Sequence, residues 1–388
     1  MKLRVGILGV GDISRVYVKN LQQYSSVLSI EACAAGHYEN AVKKAAEYGI
    51  PRAMKSAEEL IKDPDIDVIL NLTIPEVHGK YNLMALEHGK HVYTEKPLAW
   101  TFEEGKQIVA LAKEKNLRVG CAPDTFLGAR IQKCIEIIKE GIIGDVIGAS
   151  MFMICPGHEW VNPTPVFYYQ EGAGPVLDNG PYFFRMMSAI LGPVKKVTAM
   201  SKRTFQEKEC VFGPNKGMRI PVNVDTFTSA TMEYADGSIV NSLFSFDVLE
   251  SELPKAEIYG TKGTICIRDV DPYDGPNIFG GEIWVRTKEN FRWDGLPRKQ
   301  ELLERPWKVI ENDRPFNSTV HSENSRGIGL VDMIMAMQEN RPHRASDVMA
   351  LHELEVMEKI YTAAETGRTQ EISTTFDIPA PLKKGELE

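Results

Sequence analysis

The chain has 388 residues, with 53 acids against 45 bases, a formal net charge of -8 and 43% apolar residues. A net-negative surface argues against nucleic acid or anionic membrane as a partner, and the ordinary apolar content argues against disorder. No apolar run is long enough to span a bilayer, and the run over residues 5–10 is too short for a signal-peptide core, so a cytoplasmic location is expected.

The first 122 residues alternate strand and helix. Residues 3–8 form a short apolar run that ends in glycines, the pattern of a buried parallel strand. A helix is predicted over 13–24, a strand over 30–35 and a helix over 39–48. Ser56 with Glu59 predicts a capping box before a short helix, and Thr101 with Glu104 predicts another before a helix reaching about residue 115. Further strands are expected over 67–72, 91–94 and 119–122, with a helix over 78–88. Five strands alternating with helices imply an α/β Rossmann domain, a doubly wound parallel sheet over 1–122, whose ligands sit at the strands' carboxyl ends.

From residue 144 the pattern changes. Longer strands are predicted over 146–154, 195–203, 226–234, 238–246, 256–259 and 264–267, with Asp236-Gly237 as a hairpin turn. They imply a large, mainly antiparallel sheet in a second α/β domain over 123–388. Helices are expected over 127–140 and 181–191 and, near the end, over 323–339 and 347–366. Residues 269–320 read as long loops with short strands. The six cysteines are scattered, and no metal site or disulfide framework is expected.

The strongest local motif is Gly9-Val10-Gly11-Asp12-Ile13-Ser14, between a buried strand and a helix. Glycines there let the backbone turn tightly and approach a pyrophosphate, which the helix N-terminus stabilises. The second strand ends Ala34-Ala35-Gly36-His37, with no acid at its tip. That removes the main repulsion against a 2′-phosphate, and His37 could sit near one, so of NAD and NADP the reading leans to NADP. Lys96, in Glu95-Lys96-Pro97 after the fourth strand, can polarise a substrate oxygen during hydride transfer. Asp178 and Tyr182 would share a site if a helix begins at Asn179, with Asp178 or Asn179 as its cap. His158, Trp160 and Tyr168 lie in a loop whose polar-tipped aromatics suit stacking on a sugar ring.

Together these motifs resemble the Gfo/Idh/MocA family, the relatives of glucose–fructose oxidoreductase and inositol dehydrogenase. The resemblance extends to Thr73-Ile74-Pro75-Glu76-Val77-His78, to His91 through Leu98, to Glu140-Gly141-Ile142-Ile143-Gly144 and to the Gly172–Tyr182 segment. It implies NAD(P)-linked oxidation of a secondary alcohol on a sugar, glycoside or cyclitol. It also implies a homodimer or homotetramer formed through the open sheet. Lys96 maps to the family's catalytic lysine, Glu95 lies by the nicotinamide ribose, and Thr73, Pro75 and His78 line the cofactor cleft.

The chain departs from the family pattern D-x-G-x-H-x-x-D. Asp178 and Gly180 match, but Tyr182 replaces the histidine and Arg185 the second aspartate. The base is therefore Tyr182, with its proton affinity lowered by a nearby lysine, or His158. Asp178 would orient it, and Arg185 would favour an anionic substrate group if it faces the site. Two alternatives use the same residues: a redox-assisted glycosidase, and a non-catalytic dinucleotide-binding sensor.

Overall fold

The computed structural model describes residues 2–268, 280–287, 307–311, 313 and 325–387. Most of the segment expected as loops over 269–320 lies outside the described residues.

Two compact units emerge. The first comprises the described residues of Met1–Gly128, Ser318–Glu355 and Thr374–Glu388, and the second those of Ala129–Asn317 and Val356–Ser373. The first therefore runs past residue 122 and takes back two later segments that the sequence reading had assigned to the second domain.

In the first unit the order is β1 (Leu3–Leu8), α1 (Asp12–Leu21), β2 (Leu28–Ala34), α2 (Tyr38–Tyr48), β3 (Arg52–Ala53) and α3 (Ala57–Lys62). It continues with β4 (Val68–Asn71), α4 (His78–Glu87), β5 (His91–Thr94), α5 (Phe102–Glu114) and β6 (Val119–Cys121). The strands form one sheet in the order β3-β2-β1-β4-β5-β6, parallel throughout. The two-residue β3 is the strand that the sequence pattern missed, since so short a segment has no periodicity to read. Val5, Ile7, Val68, Ile69, Leu70 and Val92 are fully buried, as parallel strands covered on both faces require.

The Thr101–Glu104 capping box forms in full. At Ser56 only half of it does: the hydroxyl accepts from Glu59 N–H, but the Glu59 carboxylate accepts from Lys55 N–H. Helix α8 (Ile328–Gln338) and the start of α9 (Asp347–Thr366) close this unit. The turn between them is tied to β6: His343 Nε2 lies 2.9 Å from Val119 O, and Cys121 N–H donates to Ala345 O at 3.0 Å.

In the second unit, α6 (Ala129–Lys139) precedes β7 (Val146–Ile154), α7 (Pro175–Leu191) and β8 (Val194–Lys202). Then come the short hairpin β9 (Glu207–Glu209) and β10 (Arg219–Pro221), followed by β11 (Phe227–Tyr234) and β12 (Ile239–Ser245). The remaining strands are β13 (Ala256–Gly260), β14 (Gly263–Ile267), β15 (Ile283–Thr287), β16 (Lys308–Ile310) and β17 (Gln370–Glu371). Nine of these strands form one sheet in the order β16-β15-β14-β13-β7-β12-β11-β8-β17. Every neighbouring pair is antiparallel except β7 and β12. Helix α7 packs on β7, β11 and β12 and is buried on nearly all sides, which fits its continuous apolar character. The opposite face of the sheet carries the cross-strand row Met200, Ser229, Leu243 and Phe152, with Met200 82% exposed.

Burial pushes His343 and His352 down from the ordinary imidazole value of 6.5 to about 4. Below 6.5 the unfolded chain takes up protons that the folded state refuses, so these residues withdraw stability as pH falls from 6.5 toward 4. Asp347, raised by burial to about 6, acts in the opposite sense. His352→Gln should therefore shrink the loss of unfolding free energy between pH 7 and pH 5 by roughly 1–2 kcal/mol. Denaturant titrations of both proteins at the two pH values measure this, and an unchanged difference would exclude His352 as a source of acid sensitivity.

Candidate active site

The cofactor edge of the first unit is set where β1 ends. Gly9 has φ +97°, and a Cβ there would lie 2.5 Å from Leu72 O and 2.8 Å from Thr73 N, so only glycine fits. Gly11, the N-cap of α1, has open space where its Cβ would be. Asp12 and Ile13 form the first helical turn, whose N–H groups have no intrahelical acceptors. Ser14 is fully buried, and its Oγ donates to Gly11 O at 2.6 Å, tightening the turn. The result is a strand–glycine–helix cradle beside the β1–β4 switch point, which fits a dinucleotide pyrophosphate.

A cleft of about 690 Å³ opens from this cradle. Gly9, Gly11, Gly36, His37 and Thr73 line it, as do Asn40, Lys43, Lys44, Lys55, Ser56 and Tyr81, which the sequence reading had not placed at the cofactor. One signal was available: His37, Asn40 and Lys44 fall at helical spacing along α2. Lys44 is paired with Glu47 at 2.8 Å.

Asp12, Ile13, Pro75, His78, Glu95 and Lys96 are not among the residues lining this cleft. His78 is fully buried, with Nδ1 2.7 Å from Pro97 O and Nε2 2.9 Å from Thr73 O. Burial holds its imidazole below the usual range. It ties the turn after β4 to the turn after β5. Asn71 reinforces the tie: its Oδ1 accepts from Thr73 Oγ1 at 2.7 Å, and its amide donates to Asn82, which donates in turn to Leu98 O.

Glu95 accepts from Tyr17 Oη at 2.8 Å, and its other oxygen accepts from Lys96 N–H at 3.0 Å. The Lys96–Pro97 peptide is cis. The backbone carrying Lys96 is thus fixed by its neighbour's carboxylate at the ligand edge of the sheet.

In the second unit the sequence candidates converge. His158 Nε2 lies 3.2 Å from Asp178 Oδ2. The imidazole stacks on Tyr168 with centroids 3.5 Å apart and planes 9° apart, and meets the edge of Phe246 at 4.9 Å. A carboxylate only accepts, so a neutral imidazole in this contact carries its proton on Nε2 and keeps the lone pair on Nδ1. Helix α7 begins at Pro175, not Asn179, so Asp178 lies in its first turn and is not its cap. The N-cap is Gly174 at φ +95°, and no side chain caps the helix. Tyr182, one turn on from Asp178, is 7% exposed.

Trp160 is 42% exposed on the same loop as His158. Arg185, named as a substrate residue if it faces the site, is fully buried. A helix packed on nearly all sides keeps that long side chain inside.

Residues 3–122 match the family model described as "Oxidoreductase family, NAD-binding Rossmann fold", and residues 131–266 match the "GFO/IDH/MocA C-terminal domain". The chain belongs to the GFO/IDH/MocA oxidoreductase family. Among curated members it is 33% identical over 181 residues to the 1,5-anhydro-D-fructose reductase of Ensifer adhaerens, across 45% of this chain and 52% of that protein's length. It is 28% identical over 269 residues to the trans-1,2-dihydrobenzene-1,2-diol dehydrogenase of Xenopus tropicalis, across 69% and 76% of the two chains. A levoglucosan dehydrogenase solved in complex with NADH superposes with a TM-score of 0.78 at 19% identity, covering 96% of this chain and 100% of that one, which shows the shared fold. As in other family members, the first unit binds NAD-type dinucleotides through its Rossmann fold.

Gly9→Ala forces a left-handed alanine against the Leu72 carbonyl. Its expected effect is at least a tenfold weaker dinucleotide Kd by isothermal titration. A Kd within twofold of wild type would remove this glycine from the cofactor cradle.

Proposed function

We propose that this enzyme transfers hydride reversibly between a nicotinamide dinucleotide and a secondary alcohol carbon of a sugar, cyclitol or related polyol, with the His158–Asp178 pair moving the proton. The observation that carries the reading is the 3.2 Å contact of His158 Nε2 with Asp178 Oδ2, made while the ring is stacked on Tyr168. Named relatives in the family act on substrates of this class, among them a D-xylose dehydrogenase and a myo-inositol 2-dehydrogenase.

Gly9, Gly11 and the first turn of α1, with Asp12 and Ile13, would hold the pyrophosphate, and Glu95 the nicotinamide ribose. The dinucleotide supplies the hydride acceptor or donor when bound. Lys96 donates to the substrate oxygen and stabilises alkoxide character as the carbon–hydrogen bond breaks. In the oxidative direction Nδ1 of His158 accepts the hydroxyl proton, and Asp178 stabilises the imidazolium that forms. In the reductive direction the same nitrogen returns it. Tyr168 and Trp160 offer aromatic surface to a sugar ring.

NADP is the preferred form of the cofactor in this reading. The tip of β2 offers no carboxylate, while His37, Lys43, Lys44 and Lys55 line the cleft. Charge-assisted bonds to a phosphate are worth roughly 1.5–3 kcal/mol each. The exposed Met200, in a cross-strand row with the half-buried Leu243 and Phe152, supports a homodimer or homotetramer formed through the open sheet.

Lys96→Met and His158→Gln should each lower kcat for a polyol by about 100-fold or more, with the dinucleotide Kd within threefold of wild type. Tyr182→Phe should cost less than about tenfold; the reverse order of losses would move the base to Tyr182. Replacing Lys43 and Lys55 together by alanine should raise KM for NADP by about tenfold and leave KM for NAD within threefold. Equal effects on the two cofactors would sink the NADP preference.

A further inference from the structure

Outside the pair that handles the proton, the second unit buries an ammonium group that the proposed chemistry does not use. Lys208 lies in the middle of β9, and its side chain is 7% exposed. Its Nζ donates to Glu159 Oε1 at 2.9 Å, to Pro156 O at 2.8 Å and to Phe246 O. An ammonium has three protons, and all three are placed. Asp247 Oδ1 lies 3.4 Å away, and Asp247 Oδ2 accepts from Thr226 Oγ1 at 2.5 Å.

These contacts bracket His158 on both sides. Pro156 and Glu159 flank it in the chain, and Phe246 is the residue whose ring meets the imidazole edge. Glu159 also accepts from Tyr169 Oη, and that same oxygen accepts from His158 N–H at 3.0 Å. The Glu159 backbone carbonyl accepts from Val211 N–H at 3.1 Å, joining the loop to the β9–β10 hairpin. Gly157 has φ +118°, and a Cβ there would strike Tyr169 Oη at 2.3 Å and Glu159 Oε2 at 2.4 Å. The backbone beside His158 is therefore built around this cluster with no room to spare.

Taking one ammonium and two carboxylates out of water is costly, and a buried pair is often less stabilising than apolar residues of the same size. What the arrangement gives is direction. Carbonyls and carboxylates from two separate segments, 156–159 and 246–247, must converge on a cation carried by a third, β9, so the cation fixes the three relative to one another.

We infer that Lys208 is a positioning residue for His158: it locks the 156–159 backbone and the Phe246 carbonyl so that the imidazole stays stacked on Tyr168 with Nε2 on Asp178. This rests on the proton-transfer role proposed for His158, but its test does not depend on that role alone.

The test compares Lys208→Met, Lys208→Arg and Tyr169→Phe with wild type and with His158→Gln. The readouts are steady-state kinetics with a polyol, the dinucleotide Kd, and imidazole nitrogen spectra of histidine-labelled protein. The His158 signal is assigned by its disappearance in His158→Gln. Lys208→Met should lower kcat by tenfold to about 100-fold. KM and the dinucleotide Kd should stay within threefold, and the His158 signal should shift from a single Nε2–H tautomer to a mixture. Lys208→Arg, which keeps the charge, should recover part of the loss, and Tyr169→Phe should give a smaller change of the same kind.

An unchanged His158 spectrum in Lys208→Met, with activity lost only in proportion to unfolded protein, would overturn the inference. If Lys208→Met does not fold, Tyr169→Phe decides, and an unaltered His158 spectrum there overturns it equally. If His158→Gln keeps kcat within threefold while Lys208→Met still disorders the His158 signal, the positioning link stands and the assignment of His158 as base fails.

Discussion

The cofactor edge depends on one close approach of backbone to backbone, Gly9 against the carbonyl of Leu72. Adjacent parallel strands diverge at the point where the sheet's winding reverses, and that divergence opens the crevice. A side chain at residue 9 would fill it. Because Gly9 lies so close, the turn after β4 begins directly beside the N-terminus of α1, and Thr73 enters the cleft. His78 and Asn71 then carry the placement of that turn across to the turn holding Glu95, Lys96 and Pro97. The turn packed against the glycine loop is thus joined to the lysine turn by a chain of buried and part-buried hydrogen bonds.

The second unit solves a different problem. The role proposed for His158 requires a ring on a loop to be held to one rotamer and one tautomer. Stacking on Tyr168 limits the ring plane, the Asp178 carboxylate selects the nitrogen that keeps its proton, and the ion cluster under the loop fixes the backbone. The first two constraints are short in sequence, since Tyr168 and Asp178 lie within 20 residues of His158. The third is long, because Glu159 and Lys208 are 49 residues apart. Both kinds are needed on a loop that has no ladder of its own.

Much of this was legible in the residues. Continuous apolar runs between glycines gave the parallel strands, and the predicted bounds of β1, β5, β7 and α9 agree with the observed ones. Gly9, Gly11, Lys96, His158 and Asp178 could each be named as candidates because the chemistry they offer is visible locally. Lys208 could not. In Glu207-Lys208-Glu209 the alternation of a strand places the middle residue on the inner face, but a charged triplet reads as a solvated surface. Its partners come from distant segments, and only the folded chain brings them together. The start of α7 was misjudged for a related reason. Pro175 and Gly180-Pro181 look like breakers, yet Pro175 suits the first turn, and tertiary packing carries the helix through Pro181.

The parallel pairing of β7 with β12 has a consequence for how the chain is made. Strand β7 is central to its sheet, flanked by β12 and β13, and both neighbours lie later in the sequence. Ile239, the first residue of β12, follows Ile154, the last of β7, by 85 residues. At a synthesis rate of about 5–20 residues per second, the apolar β7, with Met151 and Met153, leaves the ribosome several seconds before either of its edges can be paired. Throughout that interval it is an open template for the strands of other nascent chains. The stretch emerging meanwhile holds His158, Asp178 and Lys208, so the residues proposed to work together wait, during biosynthesis, on a strand that has not yet been translated.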